Sequence, residues 1–132
     1  MSYLLDTHTL IWSILDRGKL SQQVIETLED TENPIFVSAV SLWEISIKFS
    51  LGKLELSGVK PEELLDLIIK TGYELISISP HDCVTNYQLS STFHKDPFDK
   101  ILIWQAIKHN YILITKDDYI KQYKSAGLRT FW

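Results

Sequence analysis

Short apolar runs alternate along this chain with longer segments in which apolar residues recur every three or four positions. The short runs are typical of buried strands, and the longer segments of amphipathic helices. The predicted strands are 3–5, 35–37, 73–78, 111–115 and, at an edge, 128–132. The predicted helices are 7–15, 22–31, a segment from Ser38 or Ser41 to about 51, 61–70, 80–90, 97–109 and 119–124, with a short extended piece at 53–56. Apolar strands separated by helices indicate an α/β fold with a parallel sheet covered on both faces.

The segment 94–100, His-Lys-Asp-Pro-Phe-Asp-Lys, has the residues of a helix start. Proline suits the first helical position because its missing N–H is not needed there, and the preceding Asp96 can cap free amides. Asp99 then falls on the apolar arc of the helix, where a carboxylate is costly unless it is paired. From this segment alone, Asp99 either closes a capping box with Asp96 or has a chemical role.

Length and composition predict a single soluble domain over 1–132. The chain is 45% hydrophobic and 23% charged, its start lacks the features of a signal peptide, and no apolar run is long enough for a membrane span. One cysteine, Cys83, excludes a disulfide framework and suits the cytoplasm, and we expect it in the core. The net charge of −4 disfavours broad binding of nucleic acid but allows an enzyme that meets phosphates through a cation.

Glu44, on the third predicted helix, has two interpretations. It shares a stripe with Val40, Ile47 and Leu51, which would place a carboxylate on an apolar face. Lys48 follows one turn later, so the simpler interpretation is a surface Glu–Lys pair that contributes a few tenths of a kcal/mol.

Acidic residues recur where the predicted sheet would have its active edge. Asp6 and Asp117 follow apolar strands, and active sites of open parallel sheets lie beyond the carboxyl ends of the strands. Asp99 and Glu44 lie near helix starts. Each acid could be a local cap, but one metal site that collects all four explains them together. Two bare carboxylates ~5 Å apart repel by about 3 kcal/mol at an effective dielectric of ~20, and Mg²⁺ or Mn²⁺ suits such oxygen ligands.

Four motifs, taken together, resemble the PIN domain, and more narrowly the toxins of VapBC-type toxin–antitoxin pairs. They span the chain in the expected order: Leu-Leu-Asp-Thr-His-Thr-Leu-Ile-Trp (4–12), Ser-Ala-Val-Ser-Leu-Trp-Glu-Ile-Ser-Ile-Lys (38–48) with Leu-Gly-Lys-Leu (51–54), the 94–100 segment, and Leu-Ile-Thr-Lys-Asp (113–117). The resemblance implies a PIN-like three-layer α/β/α fold with a central, mainly parallel sheet of four to five strands.

The same resemblance implies a Mg²⁺- or Mn²⁺-dependent endoribonuclease that acts on RNA, is held inactive by a cognate antitoxin and forms a homodimer. The family's catalytic and metal-binding acids correspond to Asp6, Glu44, Asp99 and Asp117. Supporting roles are predicted for Asp96 as the helix cap, for Thr7 and Thr115 as hydroxyl contacts, and for Asp118 as an alternative to Asp117.

Two other hypotheses stay open at this point. A PIN-fold module could bind RNA or a partner without catalysis, although such a module has no need for all four acids. A phospho-acceptor or phosphohydrolase usually carries a second acid two residues after the first, where this chain has His8.

Three aromatic residues on predicted helices, Trp12, Trp43 and Phe49, are expected in the core. The resemblance adds an alternative for them: some would line the groove that receives an antitoxin segment.

Overall fold

The computed structural model describes residues 1–90 and 96–132. Its strands are β1 (Tyr3–Leu5), β2 (Ile35–Ser38), β3 (Glu74–Ile76), β4 (Ile112–Ile114) and β5 (Arg129–Phe131). Its helices are α1 (Thr7–Leu15), α2 (Gln22–Glu29), α3 (Ala39–Ser50), α4 (Pro61–Thr71), α5 (Pro80–Thr85), α6 (Pro97–His109) and α7 (Asp118–Lys121). Short 3₁₀ helices cover Arg17–Lys19, Asn86–Gln88 and Gln122–Ala126. Within the described ranges, no helix combines the length and apolar character that a membrane crossing requires.

The strands form one parallel sheet of five strands in the order β3-β2-β1-β4-β5, so β1 lies at its centre. Successive residues of β1 serve two different cores because side chains alternate across a strand. Tyr3 and Leu5 join one apolar cluster, which includes residues of α1 to α4, whereas Leu4 joins a second cluster with α6 and α7. The predicted α/β/α layering and the parallel sheet are confirmed.

Several predicted boundaries differ from those of the structure. Helix α3 starts after Ser38 rather than Ser41, because the Ser38 hydroxyl accepts the Val40 N–H at 3.1 Å. The predicted extended piece at 53–56 is neither a helix nor a strand of the sheet, and its Leu56 is buried in the core. Helix α5 ends at Thr85 rather than near 90. His94 and Lys95 lie outside the described residues.

The prediction that Trp43, Phe49 and Cys83 lie in the core is wrong. Trp43 is 62% exposed, Phe49 is 40% exposed, and Cys83 is exposed as well. For α3 the reason is helical geometry: its buried stripe contains Val40, Ser41, Glu44 and Ile45, which turns Trp43 and Phe49 away from it. Trp12 is partly buried against the core.

Candidate active site

Asp6 joins β1 to α1 at the carboxyl edge of the sheet. It is the N-cap of α1, with its Oδ1 accepting the Thr9 N–H at 2.8 Å, and it is buried. Burial raises the pKa of the Asp6 carboxyl, and hydrogen bonds from Thr115 and Thr9 oppose that rise. The chain therefore holds an acid whose charged form is stabilised mainly by neutral donors.

Asp117 lies at the same edge of the sheet as Asp6. Both line an open cavity of about 390 Å³, together with His8, Thr9, Trp12 and Lys116. The buried Thr115 connects the two acids, because its hydroxyl accepts the Asp117 N–H at 3.1 Å and hydrogen-bonds the Asp6 carboxylate. Asp118 differs: its side chain is 94% exposed and pairs with Lys121 at 3.6 Å. The structure therefore places Asp117, and not Asp118, in the cavity that Asp6 lines.

Glu44 on α3 forms the predicted pair with Lys48, but Glu44 is buried, so the prediction that this is a surface pair is wrong. The Thr7 hydroxyl, at the first residue of α1, donates to Glu44 Oε1 at 2.5 Å and lies 3.1 Å from Ser41 Oγ. Lys48 Nζ pairs with the other carboxylate oxygen, Oε2. Because Thr7 follows Asp6 in the chain, the start of α1 connects Glu44 to the first acid.

Lys48 brings a positive charge into acidic surroundings. Partial burial lowers the pKa of Lys48, but the hydrogen bond and the charge of Glu44, with the charges of Asp96 and Asp99, outweigh it and raise the pKa overall. Its side chain is about one-third exposed, at 32%. The ammonium is therefore a positive charge within electrostatic range of three carboxylates.

Asp99 enters from the start of α6, which has the predicted form. Asp96 is the N-cap and Pro97 follows it, with Asp96 Oδ1 accepting the N–H groups of Phe98 at 2.9 Å and Asp99 at 3.2 Å. Asp99 is partly buried in the first turn. Trp43 of α3 packs edge-on against Phe98, with ring centroids 5.3 Å apart. Asp96 thus fixes the helix start from which Asp99 projects.

The predicted acids fall into two sets in the structure. Asp6 and Asp117 share the cavity, whereas Glu44, Asp96 and Asp99 act on Lys48. Over 1–90 and 96–132, no three Asp, Glu, His or Cys side chains come together as a metal-holding group. Each set instead has hydrogen-bonding or charged partners of its own: Thr9 and Thr115 for Asp6, and Thr7 and Lys48 for Glu44.

Sequence reasoning missed three contributors to this site: Thr9, Ser41 and Lys48. The four-residue spacing between Glu44 and Lys48 was the available signal for the last of these. This spacing indicates a site residue only if Glu44 is known to be buried, because the same spacing is equally common in surface ion pairs.

The sequence model of the PIN domain matches residues 3–126. The chain belongs to the PIN domain family. A curated relative, Ribonuclease VapC22 of Mycobacterium tuberculosis, is 26% identical to this PIN domain over 131 residues, which cover 98% of this chain and 97% of the relative.

Solved structures similar to this PIN domain cover nearly all of it. VapBC2 from Rickettsia felis, bound to a DNA fragment from their promoter, matches with a TM-score of 0.72 at 22% identity over 100% of this chain and 99% of that chain. DNA-bound VapBC from Salmonella typhimurium matches with a TM-score of 0.69 at 17% identity over 99% of this chain and 97% of that chain. At these identities the likeness shows the fold, and it agrees with the three-layer arrangement.

The donor groups of this PIN domain fit a divalent cation. Asp6 and Asp117 offer carboxylate oxygens to one cavity, which is the ligand type that hard divalent cations prefer. Burial disfavours the charged form of Asp6, so a nearby cation would stabilise that form more than the neutral donors Thr9 and Thr115 do. The oxygen donors of this cavity therefore suit a divalent metal ion.

Proposed function

We propose that this chain is a divalent-metal-dependent endoribonuclease and the toxin of a VapBC-type toxin–antitoxin module. Membership of the PIN family supports this, as does its relative VapC22, which is named a ribonuclease. The structural neighbours named VapBC support the module. The single observation that carries the proposal is that Asp6 and Asp117, from the ends of two neighbouring strands, line one cavity at the carboxyl edge of the sheet.

In this proposal, Asp6, Asp99 and Asp117 are the main ligands of Mg²⁺ or Mn²⁺. When bound, such a cation lowers the pKa of a water and offsets negative charge on a scissile phosphate. Thr115 orients the two cavity acids, and Asp96 holds the helix start that carries Asp99. Asp118, exposed and paired with Lys121, has no part in the site.

Glu44 either contacts the cation through a water or takes the proton from the attacking water as general base. Thr7 holds its Oε1 oxygen and so fixes the direction of the carboxylate. The reaction is hydrolysis: the water oxygen bonds to phosphorus, the bond from phosphorus to the leaving oxygen of the RNA breaks, and the leaving oxygen takes up a proton from solvent.

The decisive test is Asp99→Asn, with Asp66→Asn on the exposed face of α4 as the matched control. Loss of the Asp99 charge is expected to reduce cleavage of fluorogenic oligoribonucleotides by roughly 10²–10⁴-fold and to relieve toxicity on induction. The backbone N–H of residue 99 still reaches Asp96, so thermal unfolding is expected to stay close to that of the wild type. Cleavage by Asp99→Asn at the wild-type rate would refute the assignment.

A second candidate function, a PIN module that binds RNA or a partner without catalysis, is favoured by one observation: three metal-holding side chains do not group within the described ranges. Isothermal titration calorimetry separates the two candidates. The nuclease is expected to release or absorb heat with Mg²⁺ or Mn²⁺, and Asp99→Asn is expected to weaken that binding. No heat at millimolar metal together with intact RNA binding would establish the binding module instead.

Thr115→Val tests whether the connection between the two cavity acids matters. Valine keeps the shape of this buried side chain but removes the hydroxyl that reaches Asp6 and accepts the Asp117 N–H. We expect metal affinity or cleavage to fall about 10- to 100-fold, as for other supporting residues around a metal. The control is Thr27→Val, whose hydroxyl bonds only the nearby Gln23 carbonyl among the contacts described. A folded Thr115→Val protein with wild-type activity would show that the hydroxyl is dispensable.

The exposed apolar side chains of α3 support an antitoxin-binding surface. Trp43 is 62% exposed, and Leu51, just past the helix end, is 60% exposed. Because Trp43 also packs on Phe98 beside Asp99, this surface borders the proposed site. In this proposal a cognate antitoxin covers this surface, so expression without the antitoxin is toxic, gives poor solubility, or both. The proposed toxin is a homodimer that works in the cytoplasm, with one domain over 1–132 in each subunit.

A further inference from the structure

Lys48 contacts Glu44 and carries a charge to which the proposed function gives no role. We propose that Lys48 is a built-in counter-cation of the acidic site, which holds Glu44 and competes with the divalent metal, and so sets the metal concentration at which the site becomes active. This inference rests on the proposed metal-dependent function.

Glu44 is a buried carboxylate, and such a group requires a charged or hydrogen-bonding partner for each oxygen. The structure supplies both from within the chain: Thr7 at Oε1 and Lys48 at Oε2. Of these two partners, Lys48 is the one that brings a positive charge. Lys48 thus offsets the negative charge of Glu44, as a bound metal ion would otherwise do.

Lys48 interacts electrostatically with more acids than Glu44. The charges of Asp96 and Asp99, from the start of α6, also act on the ammonium. Asp99 is one of the proposed metal ligands, so a divalent cation near it and the Lys48 ammonium would repel each other while drawing on the same carboxylates. Two cations that share one set of acids bind with negative coupling.

The Lys48 side chain is exposed enough to move from Glu44 into solvent. Its side chain is 32% exposed, whereas that of Glu44 is only 4% exposed. Lysine carries its ammonium on a flexible four-carbon stem, so the charge can turn to solvent while α3 stays in place. Departure of the lysine would free Glu44 Oε2 for the role proposed above, either toward a metal-associated water or as a base.

The first test is Mg²⁺ calorimetry on Lys48→Met, which keeps the apolar stem and removes the charge. Lys53→Met, an exposed lysine just beyond α3, is the matched control. We expect Lys48→Met to bind Mg²⁺ roughly 5- to 150-fold more tightly than the wild type, the usual range of coupling between two sites, and Lys53→Met to bind as the wild type does. A folded Lys48→Met protein with equal or weaker Mg²⁺ affinity overturns the proposal.

The second test uses the wild-type protein and so does not depend on the folding of a variant. Lysine acetylation with a limiting amount of reagent is followed by mass spectrometry, with and without saturating Mg²⁺. We expect Mg²⁺ to raise the acetylation rate of Lys48 several-fold relative to Lys53, because the metal displaces the ammonium from Glu44. A rate at Lys48 that Mg²⁺ leaves unchanged or lowers overturns the proposal, since a lysine with a purely structural role would stay in place.

The two tests separate this inference from the proposed function. A wild-type protein that gives no heat with Mg²⁺ or Mn²⁺ refutes the metal-dependent function and this inference with it. A wild-type protein that binds metal and cleaves RNA, but whose Lys48 neither weakens metal binding nor is released by it, refutes this inference alone.

Discussion

Asp6→Asn is expected to reduce RNA cleavage by roughly 10²–10⁴-fold while the protein remains folded. Asp6 is the buried acid at the end of the central strand, and it lines the cavity that Asp117 also lines. Asparagine keeps an Oδ1 atom that can accept the Thr9 N–H, so the cap of α1 survives while the negative charge is lost. The measurement is kcat/KM on fluorogenic oligoribonucleotides, with far-ultraviolet circular dichroism to check the fold.

The matched control is Asp16→Asn, at the other end of α1, where the side chain is exposed and its nearest cation is Lys19 at 3.9 Å. This change is expected to leave cleavage within about threefold of the wild type, because exposed ion pairs contribute at most about 1 kcal/mol. Wild-type cleavage by Asp6→Asn would rule out a catalytic or ligand role for Asp6.

The same variant gives a stability prediction with a definite sign. Burial raises the pKa of Asp6 above its ordinary value of 3.8, so between those two values the folded protein binds more protons than the unfolded chain. This contribution to the free energy of unfolding is present below pH 3.8 and is lost as the pH rises through the folded-state pKa. The asparagine side chain has no charge to bury, so Asp6→Asn is expected to gain stability relative to the wild type as the pH rises.

Urea unfolding in EDTA at pH 4 and pH 7.5 checks this prediction. The difference in unfolding free energy between Asp6→Asn and the wild type should be larger at pH 7.5 than at pH 4. A difference that is independent of pH, or larger at pH 4, would contradict the view that burial of a charge at Asp6 costs stability.

The second large effect distinguishes two adjacent acids. Asp117→Asn is expected to lower cleavage by roughly 10²–10⁴-fold, because Asp117 lines the cavity with Asp6. Asp118→Asn is expected to stay within about threefold of the wild type, because the Asp118 side chain is 94% exposed and pairs only weakly with Lys121. Asparagine at 117 keeps the oxygen that accepts the Tyr119 N–H, so the start of α7 should survive.

Cleavage rates and melting temperatures of the two variants, measured side by side, test this assignment. Equal losses in both would show that Asp118 is needed as well as Asp117, and would contradict the assignment of the role to Asp117 alone. A loss in Asp118→Asn alone would transfer the role to Asp118 and refute the assignment made from the cavity.

The fold was largely predictable because its signals are local. The three inner strands were predicted from runs of apolar residues, and β1 is apolar throughout because it is covered on both faces. The cap of α6 was also predictable, since Asp96-Pro97 is read from neighbouring residues alone. The error at the end of α5 concerns a segment whose conformation depends on distant partners, since the Asn86 side-chain amide donates to the Lys100 carbonyl.

The sequence by itself determined the succession of strands and helices along the chain, the positions of acids after the strands, and the start of α6. These features were readable because periodicity and capping depend on residues that are close in the chain. Only the tertiary structure decided that Glu44 is buried with Lys48, that Trp43 faces solvent and that Asp117 rather than Asp118 joins Asp6. Each of these depends on which side of an element meets another element distant in the chain. Residue spacing alone does not determine which side is buried, because the same i, i+4 pair or adjacent pair of acids can lie on a buried or an exposed face.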